Sequence, residues 1–334
     1  MDKLTYTIFV GFSMALAGLL ADILLAAVFL TGFAFIHHGR AYLSGELKVS
    51  LADAIRLQAT ASAPFPDGHA SGFGTHADKF TDGSVIETDH SYQSANVNIS
   101  WTRHEDDMSG NSVVYYIADI YLRSIDYMRT AISEHGYQSV AALAAANDAI
   151  LAINGDYSLA RELGPIVRDG MLFRDNSFGD VLVLYRSGEM KTFSSVEFDM
   201  AAEAEKGILD VWSFGPMLLD GEGRSMHEFD ATVAAANPRT AIGYYEPGHY
   251  CFVAADGRGC EGSSGCTMEE LSKLFEDLGC AAAYNLDGGQ SSVMVWNSGS
   301  MTVNSPANGG RPVSDIAIYT GDEMPRRAIL PERL

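Results

Sequence analysis

The chain has 334 residues, with 43 Asp and Glu against 22 Lys and Arg, for a formal net charge of -21. An acidic excess of this size repels the phosphate backbone of nucleic acid and excludes it as a partner, so an anionic substrate would depend on local arginines. The length admits one large domain with an appendage, and 47% hydrophobic residues suffice for a substantial core.

Residues 4–36 are almost wholly apolar, with Asp22 their single charge. The run exceeds the roughly 20 residues that span a bilayer and predicts one N-terminal transmembrane helix. Phe33-Ala34-Phe35-Ile36 is a poor cleavage site, so the segment is read as an uncleaved signal-anchor rather than a signal peptide. Asp22 is taken as incidental in a segment with length to spare. The expected division is 1–40 membrane anchor, 41–95 juxtamembrane tether, 96–322 folded domain and 323–334 tail. Pro64, Pro66 and several glycines mark the tether.

Val97, Ile99 and Trp101 alternate with polar residues, and 113–121 is a second β-rich run, so a hairpin should open the domain. A helix is expected over 138–146. Ala149 to Ile153 is an apolar strand pattern that ends in Asn154-Gly155-Asp156-Tyr157. Antiparallel strands are expected within 180–193. Gly215-Pro216 and Asn237-Pro238-Arg239-Thr240 then place Gly, Pro and Arg at abrupt strand entries. Residues 248–255 form a buried-strand run ending in Asp256-Gly257-Arg258. Thr267-Met268-Glu269-Glu270 has the form of a capping box, Met268, Leu271, Leu274, Phe275 and Leu278 share one helical face, and Gly279 supplies the stop. Residues 280–286 are the next strand, delivering Asp287-Gly288-Gly289-Gln290-Ser291-Ser292. Strand, helix and strand together predict a pair of parallel strands with a right-handed crossover, and an α/β fold built as a mixed sheet with flanking helices. Asp256 and Asp287 both fall at carboxyl ends of strands, where open α/β sheets bind ligands. Taken singly, each Asp-Gly pair is better explained by a turn.

The ordered blocks resemble the phosphodiester glycosidase family. They are Asn154 to Tyr157, Gly215-Pro216, Asn237 to Gly243, Asp256 to Arg258, Thr267 to Leu271, Asn285 to Ser292 and Arg311-Pro312-Val313. Two positions depart from the family pattern. Asp156 and then Tyr157 and Ser158 stand where a second glycine and two aromatics are usual, and Gln290 stands where a third glycine is usual. The resemblance implies hydrolysis of a sugar-1-phosphodiester in a cell-surface or exopolysaccharide-type substrate, with the catalytic domain outside the cytoplasm.

Such a reaction passes through an oxocarbenium-like transition state and expels an anionic phosphate. One carboxyl group at the anomeric centre and one handling protons suit it, and Asp287 and Asp256 are the catalytic candidates. A guanidinium holds phosphate oxygens in a fork, which makes Arg239 the first choice and Arg258 and Arg311 the alternatives; an ion pair explains Arg239 equally well. Asn154 and Asn285 are candidates for sugar hydroxyls or an N-acetyl group. Ser291, Ser292 and the backbone at Gly288 and Gly289 are candidates for phosphate, and Asp156 for a new sugar or metal contact. Calcium or magnesium is the cofactor that strand-end carboxylates suggest, and the sequence leaves it open. No His-x-x-x-His or Cys-x-x-Cys spacing supports zinc. Of four cysteines, Cys260 and Cys266 flank a short loop that a disulfide would close, whereas Cys251 and Cys280 read equally as buried apolar groups. Two other functions remain open: a metal-dependent phosphodiesterase on the same scaffold, and a non-catalytic glycan-binding envelope protein.

Overall fold

The computed structural model describes residues 73–322, except 134–135, 159–160, 162, 177, 298 and 312–315. The expected anchor, most of the tether, Pro312-Val313 and the tail lie outside the described residues. No described helix is long and apolar enough to cross a membrane.

Three sheets make up the fold. The first has seven strands in the order β1 (Ile86–Glu87), β2 (Ser91–Gln93), β3 (Val97–Met108), β4 (Asn111–Leu122), β13 (His249–Ala255), β12 (Arg239–Glu246) and β14 (Ala282–Asn285). The second runs β10 (Met190–Phe193), β9 (Val181–Tyr185), β11 (Ile208–Trp212), β7 (Ile166–Arg168), β8 (Met171–Arg174). The third runs β16 (Met301–Thr302), β15 (Met294–Trp296), β6 (Leu151–Asn154), β17 (Ile316–Thr320), β5 (Met128–Ile132). Among the described residues, four short α-helices accompany them: α1 (Val140–Ala146), α2 (Met200–Ala204), α3 (Ala231–Ala234) and α4 (Met268–Asp277).

Alternation along the strands divides the apolar side chains between layers. Leu182 and Leu184 on β9 enter the main core with Ile242, Tyr250, Phe252, Leu151 and Ile153, whereas Val181, Val183 and Tyr185 face a separate cluster with Val167 and Val211. The opposite face of the first sheet presents Ala241, Cys251, Val253 and Ala283 to Met268, Leu271 and Phe275 of α4. Helix α1 covers the third sheet through Val140, Leu143 and Ala144.

The expected hairpins are present: β3 pairs with β4 over their full lengths, and β9 with β10. The α/β expectation needs correction, because every strand pairing described is antiparallel and the fold is mostly β. Helix α4 does carry the chain from β13 to β14. Between those two strands, however, lies β12, the hairpin partner of β13, paired antiparallel to both. The expected parallel neighbours therefore run in the same direction without touching. The folded part also begins before residue 96, since β1 and β2 extend the first sheet.

Candidate active site

The interposed β12 determines where the two carboxylates emerge. Arg239 at its start pairs with Ala255 at the end of β13, and Ala241 pairs with Asn285 at the end of β14. Asp256 and Asp287 thus leave the sheet at one edge, on either side of Asn237-Pro238. Both following loops press on Pro238. A Cβ on Gly257 would lie 2.9 Å from Pro238 N, and one on Gly288 would lie 2.9 Å from Pro238 O, so neither position accepts a side chain without movement. Gly289 N–H donates to Pro238 O at 2.9 Å.

Asp287 is held at both backbone polar groups. Its N–H donates to Gly155 O at 3.2 Å, and Asn154 Nδ2 donates to its carbonyl at 2.7 Å. Its own Oδ1 accepts the Gly288 N–H at 2.9 Å. Burial pushes the Asp287 carboxyl above the ordinary aspartate range, and the neighbouring Ser291 hydroxyl, Arg311, the Gly288 amide and Arg161 oppose that rise. Arg311 is exposed, while Arg161 is half-buried, donates to the carbonyls of Ser213 and Phe214 and lies over the Phe214 ring. Arg258 is exposed and sits beside Gly289, where a Cβ would be 2.9 Å from its Nη2. Two non-glycine residues of these loops adopt left-handed backbone, Tyr157 at φ 29° and Arg258 at φ 57°, a strain that native proteins concentrate at functional sites. Buried polar atoms without a partner among the described residues also gather in these segments: Asn285 Oδ1, Ser292 Oγ and Ser158 Oγ. Orphaned groups of this kind call for a ligand or water. Asn285 is oriented by its Nδ2 donating to Gly215 O at 2.8 Å, which leaves its oxygen as the free acceptor.

Other candidates have different tasks. Asn154 is a junction: besides gripping Asp287, its Oδ1 accepts from Thr240 Oγ1 at 2.8 Å and from Val293 N at 3.2 Å, so no sugar contact remains for it. Arg239 does not face a phosphate site. Its Nε donates to Cys266 O at 3.0 Å and its Nη2 to the carbonyls of Val233 and Ala235 at 2.7 and 2.5 Å, which pins the end of α3 to the loop before α4. Asp156 is 1% exposed and turned inward, its two oxygens accepting from Arg168 and the Ser213 amide. Asp256 is 1% exposed, and its carboxylate accepts from Asn304 Nδ2 at 3.0 Å and from the Ser305 amide at 2.9 and 3.1 Å. Burial pushes its carboxyl up to about 6. Arg161, Arg168, Asn304 and Ser305 were not legible as site residues, since nothing local in the sequence relates them to Asp156, Asp256 or Asp287.

The donor set does not fit calcium or magnesium. Asp156 is bound to Arg168, Asp256 to Asn304 and Ser305, and among the described residues no three His, Cys, Asp or Glu side chains converge. All four cysteines are free thiols, and the close pair is Cys251–Cys280, with Sγ atoms 3.8 Å apart, rather than Cys260–Cys266.

The chain is similar in fold to solved structures and in sequence to a known family. The solved zebrafish N-acetylglucosamine-1-phosphodiester alpha-N-acetylglucosaminidase catalytic domain, auto-inhibited by its pro-peptide, covers 82% of this chain and 94% of its own, with a TM-score of 0.55 at 16% identity. A hypothetical protein from Synechocystis covers 68% of this chain and 62% of its own, with a TM-score of 0.51 at 13% identity. At such identities the likeness is one of fold. The SPbeta prophage-derived uncharacterized protein YomE of Bacillus subtilis (strain 168) is 30% identical over 179 residues, which are 51% of this chain and 28% of the relative. The chain thus matches little more than a quarter of that curated relative's length. The family model of the phosphodiester glycosidases matches residues 147–320, which contain β6, β12, β13, β14 and both carboxylate loops, and the chain belongs to the phosphodiester glycosidase family.

Proposed function

We propose that the protein hydrolyses a sugar-1-phosphodiester, with residues 4–36 as a membrane anchor and the folded domain outside the cytoplasm, acting on a cell-surface or exopolysaccharide-type substrate. The observation that carries the reading is the Asp287 loop. It holds a carboxylate fixed at both backbone polar groups, beside Arg258 and Arg311 and next to unpartnered polar atoms. The apolar character of residues 4–36 supports the anchor.

In this reading Asp287 stabilises or attacks the anomeric carbon as the bond to the phosphate oxygen breaks, and a water oxygen then bonds to that carbon and releases its proton to give the free sugar. The departing phosphate takes the electron pair and is already anionic, so cations aid it more than a strong general acid would. Arg258 and Arg311 are the exposed guanidinium groups assigned to it. Asn285 Oδ1 is assigned to a sugar hydroxyl or N-acetyl N–H and Ser292 to a phosphate oxygen, while the Ser291 hydroxyl serves the Asp287 carboxylate. Asp256 organises the 304–305 loop, and no step is assigned to a metal ion.

The test is release of free sugar from a panel of sugar-1-phosphodiesters, UDP-N-acetylglucosamine included, by wild type and Asp287→Asn, with and without chelator. Turnover that the variant loses and the chelator spares is the expected result. Turnover that survives in Asp287→Asn would overturn the assignment, and loss on chelation would favour a metal-dependent phosphodiesterase.

A further inference from the structure

The turn after β6 contains a buried ion pair that the proposed chemistry does not use. Asp156 and Arg168 are 1% and 2% exposed, and Arg168 Nη2 donates to Asp156 Oδ1 and Oδ2 at 2.7 and 2.9 Å. The Ser213 amide donates to Asp156 Oδ2 at 3.1 Å. On the second sheet, Arg168 Nη1 donates to the carbonyls of Val167 and Val211. Desolvating such a pair costs about as much as its attraction returns, so stability alone is a poor account of it.

Its position is more informative. Residues 154 and 155 make the two hydrogen bonds that hold the backbone of Asp287, and Asp156 follows them directly. Arg168 lies on β7 and Ser213 just after β11, so the second sheet grips the same turn that grips Asp287. Tyr157 follows with its backbone in the left-handed region. We infer that Asp156 and Arg168 are positioning residues: by clamping the 154–156 turn to the second sheet they fix Asp287 against the anomeric carbon. The inference rests on the role proposed above for Asp287. It also gives the departure at Asp156 a purpose, because a glycine there has no carboxylate for Arg168 to hold.

The test combines amide hydrogen exchange with steady-state kinetics on the full chain carrying Asp156→Asn, which keeps the shape of the side chain and removes its charge. Exchange at the Asp287 amide should quicken by about tenfold or more while amides within β13 stay within about twofold. With a sugar-1-phosphodiester, kcat should fall about 10- to 100-fold, because a small misplacement of the reacting group suffices, and KM should stay within about threefold. Arg168→Met should behave alike, and the charge-neutral pair Asp156→Asn with Arg168→Met should be no worse than either single change. If Asp156→Asn does not fold, the neutral pair is measured in its place. Unchanged exchange and kcat would overturn the inference, as would exchange that quickens equally in every strand. If wild type turns over no sugar phosphodiester but exchange at Asp287 quickens selectively, the clamp stands and the glycosidase reading falls.

Discussion

Asp287 and the arginines around it show how charge and burial compete at single residues. Burial raises the Asp287 carboxyl and Arg311 draws it down, so the ionised form that the proposed chemistry needs is reached only above the ordinary aspartate range. Activity should therefore climb with pH through an acid limb governed by Asp287. Arg311→Ala removes an opposing cation, so it should move that limb to higher pH and raise KM, as pH–rate profiles of the two proteins would show. Arg239 should behave differently, because its donors end on main-chain carbonyls of residues 233, 235 and 266. Arg239→Met should cost about 2–4 kcal/mol of stability in urea unfolding and leave the KM of the folded fraction near wild type. An unchanged midpoint with a much increased KM would return Arg239 to the phosphate. For Asp256, replacement by Asn keeps an oxygen for Ser305 but sets an amide against Asn304 Nδ2. It should lower stability more than kcat, and the reverse ranking would make Asp256 the proton-handling group after all.

Among the elements, α4 is the one whose start was most legible. Thr267 Oγ1 accepts the Glu270 amide at 3.1 Å, and Glu270 Oε2 accepts the Thr267 amide at 2.9 Å, which is the reciprocal cap that four consecutive residues announce. Thr267→Ala should cost about 1 kcal/mol in chemical unfolding without changing activity. Strand β12 carries a different kind of constraint. A Cβ on Gly243 would lie 2.7 Å from Cys251 Sγ, 2.7 Å from Phe275 and 2.8 Å from Cys280 Sγ, so the two thiols and the helix occupy the space of a side chain. Gly243→Ala should cost about 1–3 kcal/mol by overpacking, and Cys280→Ala should restore part of the loss. Additive losses in the double variant would refute that steric account.

Across the whole molecule, buried carboxyl groups set an unusual pH dependence. Burial pushes Asp210 and Asp256 from 3.8 to about 6. The folded state then keeps their protons to higher pH than the unfolded chain does. Each favours folding below the ordinary aspartate value, and that contribution is lost as pH rises to about 6. Exposed Asp230 and half-buried Asp220 and Glu276 are held low by their hydrogen-bond donors and act in the opposite sense. Asp210→Asn does not titrate, so its stability in urea unfolding relative to wild type should rise between pH 4 and 7, by an amount on the order of 2–3 kcal/mol. A difference that is flat across this range would show that Asp210 ionises normally.

The sequence by itself determined what depends on neighbours a few residues apart. Period-two alternation at Val97, Ile99 and Trp101, followed by a second β-rich run, marked the β3–β4 hairpin, the capping box marked α4, and the polar residues that end β6, β13 and β14 marked the candidate loops, because strand, cap and turn are each written in local side chains. Tertiary structure alone decided the order of the strands. The insertion of β12 between β13 and β14 turned an expected parallel pair into an antiparallel sheet, and it did so through pairing between segments some forty residues apart. It also decided which arginines lie beside the Asp287 loop. Arg239, Arg258 and Arg311 are alike as residue types, and they differ only in whether folding brings backbone carbonyls or the Asp287 loop within reach of the guanidinium. The pairing of Asp156 with Arg168 belongs to the same class, since it forms only where the turn after β6 meets Arg168 on β7.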